Sequence, residues 1–168
     1  STRVRSSAAS DVYKRQDISV KYFPELDFCY MDQAFEYNYS PTVVNIPWTN
    51  YLEAHEQEIT GPVILHYDSF EEKMNGKCKK VRIMQQAVRP DIESSIQLKR
   101  ERGMAVCVYH IGSHETIDLE YQRIKDWAKG RNCSLASDSY ERFVTDYWST
   151  KQTKEFVTEI MVPFKEKD

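Results

Sequence analysis

Glu141 holds the most chemical promise in this chain, within the run Ser139-Tyr140-Glu141-Arg142-Phe143. Strand-type residues surround it, and at a period of two Phe143 shares its face. Residue type alone leaves two readings open. Glu141 is a surface glutamate paired with Arg142 or a lysine, or it is a carboxylate at the floor of a pocket. On a pocket floor its charge lacks full solvation and is expensive. A lipophilic cation neutralises such a charge while its apolar groups stack on aromatic rings. Rings are plentiful, with 11 Tyr, 7 Phe and 3 Trp. Tyr30, Tyr67, Tyr109, Phe143 and Tyr147 fall in or beside strands, and Trp48 and Trp127 fall on helices. Each ring taken singly reads as core packing. The expectation is collective: several of them meet Glu141 in one cavity.

Other chemistries find little support. His110 and His114 have metal-ligand spacing, but they span a strand end and the Gly112 turn, with no third ligand nearby. No metal is expected. Five glycines and no Gly-rich loop give no support to a phosphate cradle of the Walker or Rossmann kind, and there is no G-x-S-x-G elbow. No cofactor is expected. Cys29, Cys78, Cys107 and Cys133 are far apart and form no C-x-x-C, which reads as free thiols in a reducing cytoplasm. A net charge of −3 with dispersed basic residues leaves no nucleic-acid footprint. No apolar run reaches the length of a bilayer span.

The elements that must position Glu141 read as two copies of one unit, about 17–90 and 103–166. The first has a strand from Ile18 to Phe23, a break at Pro24, and an extended Phe28–Met31. A helix follows with Pro47 in its first turn, Trp48, Leu52, His55 and Ile59 on one face, and Gly61 at its end. Strands Val63–Tyr67 and Val81–Gln85 flank a charged loop with an Asn75-Gly76 turn. The second copy has a strand Ala105–Tyr109 and a helix from Thr116 with Ile117, Tyr121, Ile124 and Ala128 on one face. Strands Phe143–Asp146 and Phe156–Val162 complete it. The polar Asp91–Arg102 segment reads as a surface connection. The expected fold is α+β. Duplicated strand-helix-strand-strand units form one antiparallel sheet, with helices on one face and a concave ligand cleft on the other. Residues 1–16, STRVRSSAASDVYKRQ, have no periodicity. They are expected to be an unstructured tail or linker foreign to the domain, with the natural protein continuing upstream.

The stretches DISVKYFPELDFCYM and MAVCVYHIGSHETIDLEYQRIKDWAKG, and the later Asp138-Ser-Tyr-Glu141 and Phe156-Val-Thr-Glu-Ile-Met-Val-Pro163, resemble GyrI-like, or AraC-type, effector-binding domains. The resemblance covers essentially 17–166 and is closer in the second half. The first half departs in its long Gln33–Ile46 connection. The Asp-Ser-Tyr-Glu run with Asp146-Tyr147 is most similar to the ligand domains of MerR-type multidrug regulators. The resemblance implies that Glu141 is the pocket glutamate and that the ligand is a small hydrophobic cation. DNA would be contacted only through an upstream helix-turn-helix, which would also supply a homodimer contact. Two alternatives follow from the same family. One is a stand-alone hydrolase of cyclopropane-type electrophiles, with Glu141 as general base. The other is a gyrase-inhibitor-like protein-binding module. Glu159 reads as structural.

Overall fold

The computed structural model describes residues 17–36, 41–145 and 152–166. The tail 1–16 and Tyr147 lie outside the described residues. Among the described residues there are nine strands: β1 (Ser19–Phe23), β2 (Leu26–Ala34), β3 (Ile59–Tyr67), β4 (Lys80–Ala87), β5 (Gln97–Arg100), β6 (Gly103–Ile111), β7 (Cys133–Leu135), β8 (Ser139–Thr145) and β9 (Val157–Glu166). Three α-helices accompany them among the described residues: α1 (Pro41–Ala54), α2 (Phe70–Met74) and α3 (Asp118–Lys129). All pairings are antiparallel, in the order β1-β6-β9-β8-β3-β4-β2-β5, with β7 added on β9.

The duplication is visible in this order. One half is β6-β9-β8 with α3, and the other is β3-β4-β2 with α1. They join at a single seam where β3 pairs β8, with Leu65 opposite Glu141 and Tyr67 opposite Ser139. The sheet must also roll. β1 and β2 stand six places apart in it, which in a flat sheet is about 29 Å. Only Pro24 and Glu25 separate them in sequence, and that link reaches roughly 11 Å. The two ends of the sheet are therefore drawn together around a concave face.

Strand alternation then sorts the side chains. On the convex face, α3 lays Ile117, Tyr121 and Ile124, each 0% exposed, on Val106, Val108, Ile160 and Val162. Over the other half, Trp48 and Leu52 of α1 cover Cys29, Leu65 and Ile83. The concave face carries two smaller clusters, Phe28-Ile64-Met84 and Ala105-Cys107-Met161, with Tyr140 packed against both.

The structure corrects the sequence reading in four places. α1 starts at Pro41 and ends at Ala54, so Pro47 lies inside it. The turn out of α1 falls at Glu56, which takes φ +53. Gly61 does not end the helix. With φ +77 it stands where the β3–β4 register shifts between Thr60 and Ile64. The charged loop after β3 contains α2, capped by Ser69, whose side chain accepts from the Glu72 N–H at 3.2 Å. The connection after β4 contributes β5 on the edge of β2.

Ile124 is wholly buried between α3 and the sheet. Ile124→Ala is expected to lower stability by roughly 3 kcal/mol, measured by urea unfolding, because the rigid sheet beneath cannot collapse into the space.

Candidate ligand-binding site

Glu141 lies in the middle of β8, between Leu65 of β3 and Ile160 of β9, and is 1% exposed. A carboxylate so placed requires polar partners, and two elements bring them. Tyr121 of α3 donates to Oε2 at 2.6 Å. Its single hydroxyl hydrogen is then used, so the Ser139 hydroxyl donates to Tyr121 across their 2.8 Å contact. Burial and the neighbouring Glu141 push the Tyr121 phenol well above its ordinary range, which keeps it a donor. Lys73 of α2 places Nζ 3.4 Å from Oε2 of Glu141 and 2.6 Å from Oδ1 of Asp118, at the start of α3. The Lys73 side chain is fully buried. Its ammonium also lies 5.5 Å from the Tyr67 ring centroid and 5.7 Å from that of Tyr121, within cation–π range. One carboxylate, two tyrosines and a second carboxylate thus form a cage around a cation, and the chain's own lysine occupies it.

Of the eight residues named from sequence, Tyr147 lies outside the described residues, and the other seven divide by face. Tyr67 and Phe143 flank Glu141 on the convex, helix-bearing face, so the carboxylate points under the helices and not into the concave cleft. Trp48 is on this side too, 2% exposed, donating Nε1 to Gln85 Oε1 at 2.6 Å. Beside it a cavity of about 720 Å³ opens between α1 and the seam, lined by Trp48, Leu52, Val63, Gln85 and Phe143. Tyr109 and Tyr30 are on the concave face, stacked under Lys21 at 4.5 Å and Arg82 at 4.4 Å. Trp127 packs at the rim of the α3 core with Arg131 4.1 Å above it. These three do not meet Glu141. Register explains the split: in β8 the odd residues 139, 141 and 143 face the helices, and Tyr140 and Arg142 face the cleft.

Lys73 and Asp118 escaped the sequence reading. The charged run Phe70-Glu-Glu-Lys73 looks like a solvated loop. The usable signal was Ser69-x-x-Glu72, a capping-box spacing that announces a helix start. Phe70 and Lys73 then share its inner face.

The two histidines have separate structural roles. His110 contacts Glu120 Oε1 through Nδ1 at 3.2 Å and, through Nε2, Thr116 Oγ1 and Ser113 O, each at 2.9 Å. It clasps the turn before α3 to the helix. His114 is stacked on Phe143 at 4.6 Å and packed against Phe156 at 5.0 Å. Among the described residues no group of three or more His, Cys, Asp and Glu is arranged to hold a metal ion. All four cysteines are free and buried.

Two outcomes follow. Lys73→Met leaves Glu141 buried beside Asp118 with no ammonium between them, and is expected to cost roughly 3 kcal/mol in urea unfolding. The double variant Lys73→Met/Glu141→Gln should cost clearly less than the sum of the singles. Burial, then the neighbouring His110 and Lys73, pulls the His114 imidazole down to about 4. Unfolded, it titrates near its ordinary 6.5. Between these values the unfolded chain binds the extra proton, so stability falls on acidification from pH 6.5 towards 4, by on the order of 3 kcal/mol. The carboxylates of Glu120 and Glu159 are held low by their basic partners despite burial, and they release their contribution at lower pH. The slope of stability between pH 6.5 and 5 should therefore flatten in His114→Phe.

Comparison with known proteins places the fold. Residues 16–165 match the family described as GyrI-like small molecule binding domain. A search of curated protein sequences finds no significant match. Among solved structures, the EcmrR C-terminal domain superposes with a TM-score of 0.77 at 18% identity, covering 89% of this chain and 98% of that one. An EcmrR–DNA complex aligns at TM-score 0.75 and 18% identity over 99% of this chain, which spans 64% of the EcmrR chain there. A hydrolase encoded by lin2189 from Listeria innocua aligns at 0.63 and 10% identity, covering 95% and 97%. SAV2435 bound to tetraphenylphosphonium aligns at 0.52 and 9% identity, covering 89% and 94%. At these identities the structural likeness is one of fold, and the family match over nearly the whole chain carries the assignment: the protein belongs to the GyrI-like small-molecule-binding domain family.

Proposed function

We propose that the domain binds small hydrophobic cations on the convex side of the seam, with Glu141 as the charge that selects them, and that it serves as the effector-sensing part of a bacterial transcription regulator. One observation carries the reading. Glu141, Asp118, Tyr67 and Tyr121 form an acidic, aromatic cage around the Lys73 ammonium. Two carboxylates face one ammonium there, so a second cation is electrostatically welcome. The 720 Å³ cavity by Trp48 and Phe143 supplies apolar room next to the cage, since Phe143 is two residues from Glu141 on the same face. A lipophilic cation in that cavity competes with Lys73 for Glu141, while its rings stack on Phe143 and Trp48. Recognition by charge and bulk tolerates many ligand shapes. SAV2435, which shares the fold, was solved with such a cation.

The regulator part of the proposal draws on the likeness to EcmrR, whose chain was solved with DNA. In that reading the domain works in the cytoplasm and reaches DNA only through an upstream helix-turn-helix. Dimerisation also falls to that part. Binding proceeds without turnover. The Listeria hydrolase with this fold supports a second reading, in which Glu141 activates a water against an electrophilic ligand.

Titration of tetraphenylphosphonium by tryptophan fluorescence tests the proposal. The wild type should bind in the micromolar range, and Glu141→Gln at least roughly tenfold more weakly. Lys73→Met, which removes the internal competitor, should bind more tightly than wild type. Equal binding by wild type and Glu141→Gln would remove Glu141 from the mechanism. An electrophilic ligand consumed by the wild type, but not by Glu141→Gln, would favour the hydrolase.

A further inference from the structure

We infer that the concave face carries a second binding site, for a small organic carboxylate with an apolar body, and that Arg100 is the residue that holds the carboxylate. This site lies on the opposite side of the sheet from Glu141 and does not depend on the cation reading.

Arg100 is the last residue of β5 and is 9% exposed. Its guanidinium is walled by aromatic rings, 4.8 Å from the centroid of Phe23, 4.9 Å from Phe28 and 5.7 Å from Tyr140. A guanidinium has five N–H donors. Here Nη2 donates to the Pro24 carbonyl at a long 3.4 Å, and the buried Nε has no hydrogen-bond partner. No carboxylate among the described residues forms an ion pair with it. Rings alone are poor compensation for taking this charge out of water, and burial draws its pKa below the ordinary arginine value.

The cavity in front of Arg100 measures about 330 Å³. Two further basic groups line it, Lys21 and Arg142, and both are committed to one acid. Glu159, 4% exposed, accepts from Lys21 at 2.6 Å and from Arg142 at 3.1 Å. Three cations and one carboxylate leave the cavity positive, with Arg100 the cation that lacks an acid. A ligand carboxylate answers that lack, because its two oxygens match the Nε and Nη edge of a guanidinium. Phe23, Phe28 and Met161 offer apolar walls for the rest of the molecule. The volume suits a small ligand of one or two rings.

Backbone features keep this space open. Gly103 pairs with Phe23, and a Cβ there would stand 2.9 Å from the Phe23 ring. Its absence lets the ring lie against β6 as a wall of the cavity. At the far side, the β3–β4 register shifts at Gly61, and Thr60, Gly61 and Pro62 line the cavity.

The test is isothermal titration of the wild-type chain with sodium 1-naphthoate and with the neutral 1-naphthalenemethanol. The acid is expected to bind at least roughly tenfold more tightly than the alcohol. In Arg100→Met, checked for a native circular dichroism spectrum and cooperative melt, the acid should fall to the alcohol's level. Tetraphenylphosphonium at saturation should leave naphthoate binding unchanged, and Arg100→Met should leave tetraphenylphosphonium affinity unchanged. If Arg100→Met does not fold, Arg100→Lys keeps the charge and stem and should keep the preference for the acid at weaker affinity. Equal binding of acid and alcohol by the wild type overturns the inference. So does unaltered naphthoate binding by folded Arg100→Met, or displacement of naphthoate by tetraphenylphosphonium.

Discussion

Everything at the centre of this domain is organised around the ion pair between Glu141 and Lys73. The two halves of the sheet join where β3 meets β8, and the seam puts a glutamate opposite Leu65, beneath the helices and away from water. An ionised carboxylate there is unsustainable alone. Its compensation comes from two elements. The short helix α2 brings Lys73, and α3 brings Tyr121 and Asp118. Phe70 of α2 stacks on Tyr121 with ring centroids 5.4 Å apart, so the polar cluster also fixes how α2 docks on α3. A buried polar network is retained more readily for function than for stability, since an apolar cluster of the same volume would hold the fold as well.

The second constraint is the rolled sheet. Because Pro24 and Glu25 bridge strands six places apart, the two faces cannot be alike. The convex face seats the helices α1, α2 and α3. The concave face is too narrow for one and is filled by side chains instead. Those side chains include a full set of charges: Lys21, Arg142, Glu159 and Arg100. The domain thus presents acid under its helices and excess base in its hollow. Strand alternation, carrying Glu141 to one side and Arg142 to the other, is the local cause of that polarity.

Much of this was legible in the residues. The strand-helix-strand-strand order, its repetition, the inner face of α3 and the separation of Thr158, Ile160 and Val162 from Glu159 and Met161 all follow from periods of 3.6 and 2. These are local rules, and they apply wherever a segment is half-buried. The elements that were misread are those that break them. Helix α1 runs through Pro47 and stops short of Ile59, because β3 takes Ile59 and Thr60 into its ladder with β4. Strand β5 is a polar run with no alternation to detect, and it exists because the edge of β2 was free to pair.

The sequence by itself determined the fold class and the duplication, since composition and periodicity are properties of neighbouring residues; residue type left Glu141 open, and only the family resemblance singled it out as the pocket group. Which groups surround Glu141 was decided only in three dimensions. Lys73 is 68 positions away in the chain, and its pairing depends on the angle at which α2 meets α3. The same is true of the face each aromatic occupies. Tyr109 and Phe143 look equivalent as strand residues, but register sends one to the hollow and the other under the helices. A one-residue difference in strand phase changes no local preference, and it reverses every long-range contact.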